Sequence, residues 1–231
     1  MLILGIDTTT KTASTAVVGF DGDKILCEMQ SCGKISHSEN LMPMVDYTLK
    51  CAGVKLNDID LFAVAHGPGS FTGIRISIAT VKGLAFGSGA NNCVGVSSLY
   101  ALAYNFYNST GDILILPVID ARRKQVYNAV FENQKYIKND RIITVSELEK
   151  EINNEFSGRK IIFVGDGAEM CYNEIDFDAK IQIPEMLKKP SAASLCRAAY
   201  DEYKKCVAIH ARTLAPSYLI KTQAEREYNE K

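Results

Sequence analysis

The sequence has little of three things that often reveal a function: excess charge of one sign, histidine, and long apolar runs. Its 26 lysines and arginines balance 27 aspartates and glutamates, which leaves a formal net charge of −1. Proteins that bind nucleic acid by themselves usually carry a strong basic excess, so we do not expect free-standing nucleic-acid binding. No uncharged apolar run approaches membrane-spanning length. The first residues lack the pattern of a secretory signal, so we expect a cytoplasmic protein without a membrane segment.

Patterns for metal binding and nucleophilic catalysis are also missing. The three histidines, His37, His66 and His210, are scattered, and no two lie three or four residues apart. Pro68 stands where a G-x-S-x-G nucleophile elbow needs glycine. The odd number of cysteines and the absence of CxxC spacing predict reduced thiols, mostly in the core, at Cys27, Cys32, Cys51, Cys93, Cys171, Cys196 and Cys206. We therefore predict no catalytic residue and no metal ligand.

The pattern that is present centres on residues 61–87. A short apolar run of strand length leads into turn formers at residues 66–70. A helical pattern follows over residues 72–86, and either Ser70 or Thr72 can cap its free N–H groups. This stretch predicts a buried strand, a tight turn and a helix.

The predicted helix is apolar on more sides than one packing face requires. A regular core stripe is formed by Ile74, Ile78, Val81 and Ala85. Only Arg75 and Lys82 are charged, and their spacing places them on one face. Ala79, Gly83 and Gly87 form a separate edge of small residues that permits close approach of a second backbone. Two interpretations stay open: the helix is buried inside its own chain, or it offers its second face to another protein.

The whole chain divides into two similar halves. Each opens with a strand that ends in an aspartate, Asp7 or Asp120, followed by a turn, a second strand and later helices. This order predicts a duplicated α/β unit whose mixed sheets are covered by helices. The predicted strands cover residues 2–6, 14–20, 24–30, 61–65, 92–96, 113–119, 124–131, 141–144 and 160–164. The predicted helices cover residues 38–51, 72–86, 98–107, 146–156 and 191–206.

Domain boundaries and caps follow from the same pattern. A polar segment near residue 109 separates an N-terminal lobe, residues 1–109, which carries the helices over residues 38–51 and 72–86, from a C-terminal lobe, residues 110–210. Residues 211–231 form a C-terminal segment with a polar tail, whose return to the N-terminal lobe is left open. Ser146 and Glu149 are the expected capping box of the fourth helix.

Several motifs together resemble the TsaB (YeaZ) family. The most specific one is HGPGSFTGIR, at residues 66–75. Supporting motifs lie at residues 5–8, 36–41, 120–122, 125–127 and 216–219. The resemblance covers essentially the whole chain, and it implies an actin/Hsp70/sugar-kinase (RNase H-like) fold in two lobes.

The resemblance also implies a function. It implies a role in adding a threonylcarbamoyl group to N6 of adenosine 37 in tRNAs that read ANN codons. In that family TsaB supports the catalytic subunit TsaD, and the ATPase TsaE joins them. The implied partners are thus a TsaD-like subunit and a TsaE-like ATPase, with tRNA met only through the complex. No cofactor is implied for this chain alone, because ATP and metal belong to the partner subunits.

The two loops that would hold phosphate in a nucleotide-binding protein of this fold agree with the implied absence of a cofactor. A backbone that cradles phosphate needs glycine for close approach. The loops that start at Asp7 and Asp120 contain none, and the short Gly-x-Gly at Gly165 and Gly167 is a weak signal. We predict a degenerate nucleotide loop made of Asp7, Thr8, Thr9, Asp120, Gly165 and Gly167.

The helices over residues 38–51 and 72–86 are the predicted partner-docking face. Its predicted members are His37, Leu41, Met42, Val45, Phe71, Arg75, Ile78, Ala79, Lys82, Gly83 and Phe86. Without a partner, the same face is expected to form a homodimer, because exposed apolar patches tend to pair. Two alternatives stay open: an independent small-molecule kinase or ATPase of this fold that uses Asp7 and Asp120, and a metallopeptidase-like protein.

Overall fold

Two β-sheets organise the chain, of which the computed structural model describes residues 1–20, 23–33, 35–109 and 111–219. In chain order, the strands are β1 (Leu2–Asp7), β2 (Ala13–Gly19), β3 (Lys24–Ser31), β4 (Leu61–Gly67), β5 (Asn92–Ser97), β6 (Ile113–Asp120), β7 (Gln125–Glu132), β8 (Lys135–Thr144), β9 (Lys160–Val164) and β10 (Ile209–His210). The six-stranded sheet has the order β10-β5-β4-β1-β2-β3, and the four-stranded sheet has the order β8-β7-β6-β9.

The two sheets repeat one pairing scheme. Strand β1 pairs antiparallel with β2 and parallel with β4. Strand β6 pairs in the same two ways, antiparallel with β7 and parallel with β9. The predicted duplicated α/β unit with mixed sheets is therefore confirmed.

Helices form three layers around the sheets. They are α1 (His37–Ala52), α2 (Phe71–Ser88), α3 (Ser98–Ala103), α4 (Val145–Glu155), α5 (Ala168–Glu174), α6 (Glu185–Lys188) and α7 (Ala192–Lys204). One hydrophobic cluster joins α1 and α2 to the outer face of the first sheet, and another joins α4 and α5 to the far face of the second. Helices α3 and α7 lie between the sheets in a shared central core.

Local sequence patterns explain β1 and α2. In β1, Ile3 joins the central core while Leu4 and Ile6 join the cluster under α1 and α2, because successive side chains of a strand point to opposite faces. In α2 the predicted core stripe is buried as expected. Ser70 is the N-cap, and its hydroxyl accepts a hydrogen bond from Gly73 N at 3.2 Å.

The start of α4 differs from the prediction. The helix begins at Val145, and the capping box consists of Thr144 and Glu147 instead of Ser146 and Glu149. The cause is strand β8, which runs without interruption to Thr144 and delivers that residue as the first polar cap. The predicted strand at residues 141–144 is accordingly only the end of a longer one.

Other helix ends and strand starts shift for similar local reasons. Helix α1 begins at His37, with Ser36 rather than Ser38 in the N-cap position. Helix α3 ends at Ala103 and continues as a 3₁₀ turn, Tyr104–Phe106. A tight hairpin at Asn133 and Gln134, whose φ angles are 47° and 59°, starts β8 earlier than the pattern suggested.

The interpretation of the cysteines as core thiols is right for only part of the set. Cys93, Cys171 and Cys196 are buried. Cys27 is partly buried, and the exposed ones are Cys32, Cys51 and Cys206. The exposed cysteines lie at or just beyond the ends of elements, where apolar neighbours in sequence no longer imply burial.

The predicted lobes share elements. Helix α7, from the second half of the chain, packs on β1 and β2 of the first sheet. A Cβ at Gly5 would lie 2.6 Å from Cys196 Sγ and 2.7 Å from Ala192 O, so the small residue allows this contact. Strand β10 pairs antiparallel with β5. The lobe boundaries therefore stay a prediction, and their tail beyond residue 219 lies outside the described residues.

Candidate functional site

The HGPGSFTGIR motif joins the loop after β1 to the start of α2. Ser70 N donates to Thr9 O at 2.7 Å, and Thr8 Oγ1 donates to Gly73 O at 2.7 Å. A Cβ at Gly69 would lie 2.5 Å from Thr9 O, and a Cβ at Gly73 would overlap Thr8 O. Two of the motif's glycines are therefore required for packing within the chain.

A third segment completes this joint. We call residues 209–219 the C-terminal strap. Ser217 N donates to His66 O at 2.8 Å, and a Cβ at Gly67 would overlap Ser217 O. Gly67 has a φ of 119°, a conformation that side chains with a Cβ rarely adopt. The motif thus holds the strap as well as the β1 loop.

The strap also engages the charged face of α2. Arg75 Nε donates to Tyr218 Oη at 3.0 Å, and its guanidinium lies 3.8 Å from the centroid of the Phe71 ring. The Tyr218 and Phe71 rings stack with their centroids 4.9 Å apart. Lys82 Nζ donates to Arg212 O at 3.3 Å. Both charged side chains of α2 therefore contact the chain's own strap.

The structure separates the predicted docking residues into three groups. The exposed ones are Met42, Phe71, Arg75, Ala79, Gly83 and Phe86, and we call them the docking face. His37 and Lys82 are partly buried, and His37 Nε2 lies 2.8 Å from Thr10 O. Leu41, Val45 and Ile78 are buried in the cluster against the first sheet. These three cannot contact a partner in this fold, which corrects the predicted set, because both helices use them for their own packing.

The small-residue edge of α2 has no neighbour within the described chain. At Gly83 and Gly87, a Cβ would meet no described atom within 4 Å. Large apolar side chains are exposed on both helices, with Met42 of α1 at 49% and Phe86 of α2 at 48% exposure. Of the two interpretations left open by the sequence, burial of this edge inside the chain finds no support among the described residues.

A cleft of about 560 Å³ lies where the β1 loop faces the turn after β6. Its lining residues are Thr9, Thr10, Lys11, His37, Gly69, Ser70, Phe71, Thr72, Ile119, Asp120, Ala121, Arg122, Tyr127 and Asp166. The cleft therefore brings together both predicted loops and the N-terminus of α2. Sequence reasoning missed Lys11, Tyr127 and Asp166, because their positions depend on how the two halves pack.

Two carboxyl groups line the cleft, those of Asp120 and Asp166, and a third, Asp7, ends the neighbouring strand β1. Asp7 is buried, and its Oδ1 accepts hydrogen bonds from Thr9 N at 2.8 Å and Thr9 Oγ1 at 2.7 Å. Burial raises the pKa of Asp7 above its usual value despite these bonds. Burial also raises the pKa of Asp166, which accepts a hydrogen bond from Asp120 N at 3.0 Å. Among the described residues, no group of three His, Cys, Asp or Glu side chains is arranged to hold a metal.

The loop glycines are engaged in packing instead of facing the cleft. Gly165 N donates to Lys188 O at 2.8 Å, and Gly167 N donates to Val118 O at 3.1 Å. A Cβ at Gly165 would overlap Val118 O, so this glycine serves the contact between β9 and β6. These N–H groups are therefore already used, and they are not free to bind a phosphate.

The turn after β6 has an unusual backbone. Arg122, Arg123 and Lys124 have φ angles of 67°, 53° and 58°. Long side chains seldom occupy this left-handed region, and such strain often occurs near functional sites.

The described residues include no helix long and apolar enough to cross a membrane.

The sequence of this chain is similar to those of several known proteins. The family model described as TsaD, tRNA N6-adenosine threonylcarbamoyltransferase, matches residues 32–228. The tRNA threonylcarbamoyladenosine biosynthesis protein TsaB of Escherichia coli K12 is 36% identical over 135 residues, which are 58% of this chain and 57% of that protein. The chain therefore spans little more than half the length of that relative. TsaB of Buchnera aphidicola subsp. Schizaphis graminum is 30% identical over 171 residues, or 72% of this chain and 79% of that protein.

Solved structures give the same grouping. YeaZ from Pseudomonas aeruginosa has a TM-score of 0.78 and 25% identity, and the match covers 94% of this chain and 99% of that one. An inorganic polyphosphate/ATP-glucomannokinase from Arthrobacter sp. strain KM has a TM-score of 0.52 at 11% identity, over 88% of this chain and 99% of that one. The second likeness concerns the fold alone, and it confirms the actin- and sugar-kinase-like architecture. Motif, fold and relatives agree that this chain belongs to the TsaB (YeaZ) family.

Proposed function

We propose that this chain serves in the biosynthesis of N6-threonylcarbamoyladenosine at adenosine 37 of tRNAs that read ANN codons. In this proposal it is a scaffold subunit that binds a TsaD-like catalytic subunit and performs no catalysis itself. The names of its relatives support the pathway. A TsaE-like ATPase joins the complex, tRNA is met only there, and ATP and metal bind the partner subunits.

The observation that carries the docking role is the uncovered outer edge of α2. Ala79, Gly83 and Phe86 are exposed, while the opposite side of the helix is packed on the first sheet. α2 has no acidic residue, and its two basic residues are held by the strap. The exposed edge formed by Ala79, Gly83, Phe86 and Gly87 carries only small or apolar side chains, which favours the approach of another helix. A stable complex buries about 1,200–2,000 Å² in total, so in this proposal α1 also contributes, through its exposed Met42.

The cleft supports the non-catalytic part of the proposal. The carbonyls of Thr8 and Thr9 lie against the start of α2, and the N–H groups of Gly165 and Gly167 bond within the chain. A nucleotide cradle needs free N–H groups that point at phosphate. We therefore place the ATP-dependent chemistry on partner subunits. In the absence of a partner, the docking face pairs two copies of this chain.

Charge introduced into the small-residue edge tests the docking role. Ala79→Arg and Gly83→Glu place a long charged side chain where a partner backbone approaches, so we expect loss of co-purification with a co-expressed TsaD-like subunit. The introduced arginine and glutamate are both good helix formers, so α2 itself should persist. Asn154→Arg and Asn154→Glu are matched controls, because Asn154 is exposed on α4 at the far side of the molecule. These controls should co-purify normally.

The outcomes separate docking from independent catalysis. Circular dichroism and thermal unfolding verify that each variant is folded, and the threonylcarbamoyladenosine content of tRNA reports function. Normal co-purification of both α2 variants would overturn the docking face. Calorimetry with Mg-ATP on the isolated chain tests the alternative kinase or ATPase. Turnover that disappears in Asp7→Ala would replace the scaffold proposal with that alternative.

A further inference from the structure

Helix α1 is held over the edge of the first sheet by a buried hydroxyl pair. Thr15 Oγ1 on β2 and Thr48 Oγ1 on α1 lie 2.6 Å apart, and both residues are fully buried. Cys51 follows Thr48 by three residues, so it lies on the same side of α1. The thiol of Cys51 is therefore directed toward the β2–β3 edge of the sheet.

A second cysteine reaches the same place from the sheet. Cys27 on β3 lies directly opposite Val17 on β2. Directly opposed residues of an antiparallel pair project to the same face, and Val17 belongs to the cluster beneath α1. Cys27 thus faces α1, and the Cys51 thiol lies near enough to contribute to the raised pKa of Cys27. The two thiols are therefore neighbours in the fold although 24 positions separate them in the chain.

The two thiols differ in access to solvent. Cys51 is exposed in the last turn of α1, whereas Cys27 is partly buried between the strand edge and the helix. Gly53, with a φ of 70°, ends the helix just beyond Cys51. A disulfide requires the two sulfur atoms to lie about 2.05 Å apart, so the two side chains must turn toward each other. A small oxidant can reach Cys51 first.

We propose that Cys27 and Cys51 are a reversible modification site, at which a peroxide converts the thiol pair into an intramolecular disulfide. The Cys51 thiolate attacks one oxygen of hydrogen peroxide, which breaks the O–O bond and yields a sulfenic acid and water. Cys27 sulfur then attacks the Cys51 sulfur, and the hydroxyl leaves as water after taking the proton of the Cys27 thiol. In total, two thiols and one peroxide give one disulfide and two waters, and two electrons pass from sulfur to peroxide oxygen.

The local environment assigns the order of these steps. Burial, followed by the neighbouring Cys51 thiol, raises the pKa of Cys27. Cys27 therefore stays protonated and reacts with peroxide less readily than an exposed thiol does. Cys27 is therefore the resolving thiol. The disulfide closes the chain between residues 27 and 51 and ties the end of α1 to β3, which restricts the unfolded state. This inference is independent of the proposed role in tRNA modification.

Peptide mapping of the full chain after peroxide treatment tests the site. Trypsin releases Cys27 and Cys32 in one peptide, residues 25–34, and Cys51 in another, residues 51–55. The Cys32→Ser background therefore makes Cys27 the only cysteine of its peptide. We expect the two peptides to be joined, lighter by two hydrogen atoms than their sum, and separated by dithiothreitol. The oxidised protein should also unfold at a higher temperature than the reduced one.

Single-cysteine variants verify the assignment. Cys51→Ser should abolish the link, and Cys27→Ser should leave a Cys51 sulfenic acid that dimedone traps. Cys206→Ser, which removes another exposed thiol, should leave the link intact. Separate alkylation of both Cys27 and Cys51 after peroxide would overturn the proposal. So would a link from either residue to another cysteine, or one formed between two copies of the chain.

Discussion

Two glycines of one helix show that the same residue type can have opposite roles. Gly73 and Gly83 are both in α2, and sequence alone gives both the same helix penalty of about 1 kcal/mol relative to alanine. The structure distinguishes them. A Cβ at Gly73 would overlap Thr8 O, whereas a Cβ at Gly83 would meet no described atom within 4 Å. Gly73 is needed for folding, and Gly83 is free to serve another purpose.

The same substitution at these two positions should change stability in opposite directions. Gly73→Ala should lower the free energy of unfolding by about 2 kcal/mol, because the added methyl group forces the β1 loop away from α2. Gly83→Ala should raise it by about 0.5–1 kcal/mol through better helix propensity. Urea denaturation of the two variants and the wild type measures both. Equal destabilisation by both substitutions would contradict the packing described here.

At the scale of elements, the strap and α2 depend on each other. The strap contributes Ala211 and Leu214 to the cluster under α2, and Ser217 binds the end of β4. Tyr218 then covers Phe71 at the first turn of the helix. The strap therefore determines which part of α2 stays available to a partner.

Removal of the Tyr218 ring should loosen the strap. Tyr218→Ala eliminates one aromatic stacking contact and the acceptor for Arg75, so we expect a loss of about 1 kcal/mol in the free energy of unfolding. Hydrogen exchange at the Ser217 amide should accelerate more than exchange in β1. Tyr203→Ala is the matched control, since Tyr203 is similarly exposed, at 37% against 40% for Tyr218. Unchanged exchange at Ser217 would mean that Tyr218 does not anchor the strap.

Local patterns predicted much of this architecture. The core stripe of α2, the Ser70 cap and the repeated strand–Asp–turn units follow from periodicity and capping, which act over a few residues. The α4 capping box was wrong because the end of β8 decides which polar residue comes first. The course of the strap and the burial of Leu41 depend on contacts between distant parts of the chain. No local pattern encodes such contacts.

At the scale of the whole molecule, a partly buried polar contact links the two sheets. Ser97, at the end of β5, donates through its hydroxyl to Asp140 Oδ2 on β8 at 2.5 Å. Burial raises the pKa of Asp140 above the ordinary value of 3.8, although hydrogen bonds from Ser97 and Tyr136 oppose this shift. The cleft and this contact both arise where the sheets meet, so neither was predictable before the packing of the halves was known.

The raised pKa of Asp140 predicts a pH dependence of stability. A carboxyl whose folded pKa exceeds 3.8 binds protons more tightly in the folded state, so its contribution to stability falls as pH rises from 3.8 through the raised pKa. Relative to Asp140→Asn, the wild type should therefore lose unfolding free energy over that window and stay level above it. Urea denaturation across the acidic range measures the difference. Asp46→Asn, at an exposed ion pair on α1, is the control, and an equal trend there would refute the assignment to Asp140.

The packing of α7 on β1 has a consequence for how the chain folds. Cys196 Sγ contacts Ile3 O across 193 positions, and Ile3 belongs to the core that α7 closes. Contacts of such long range slow folding, because the intervening chain must be ordered before they form. Strand β1 thus keeps one apolar face uncovered until α7 is synthesised. During translation, this face is a natural site for chaperone binding and for aggregation.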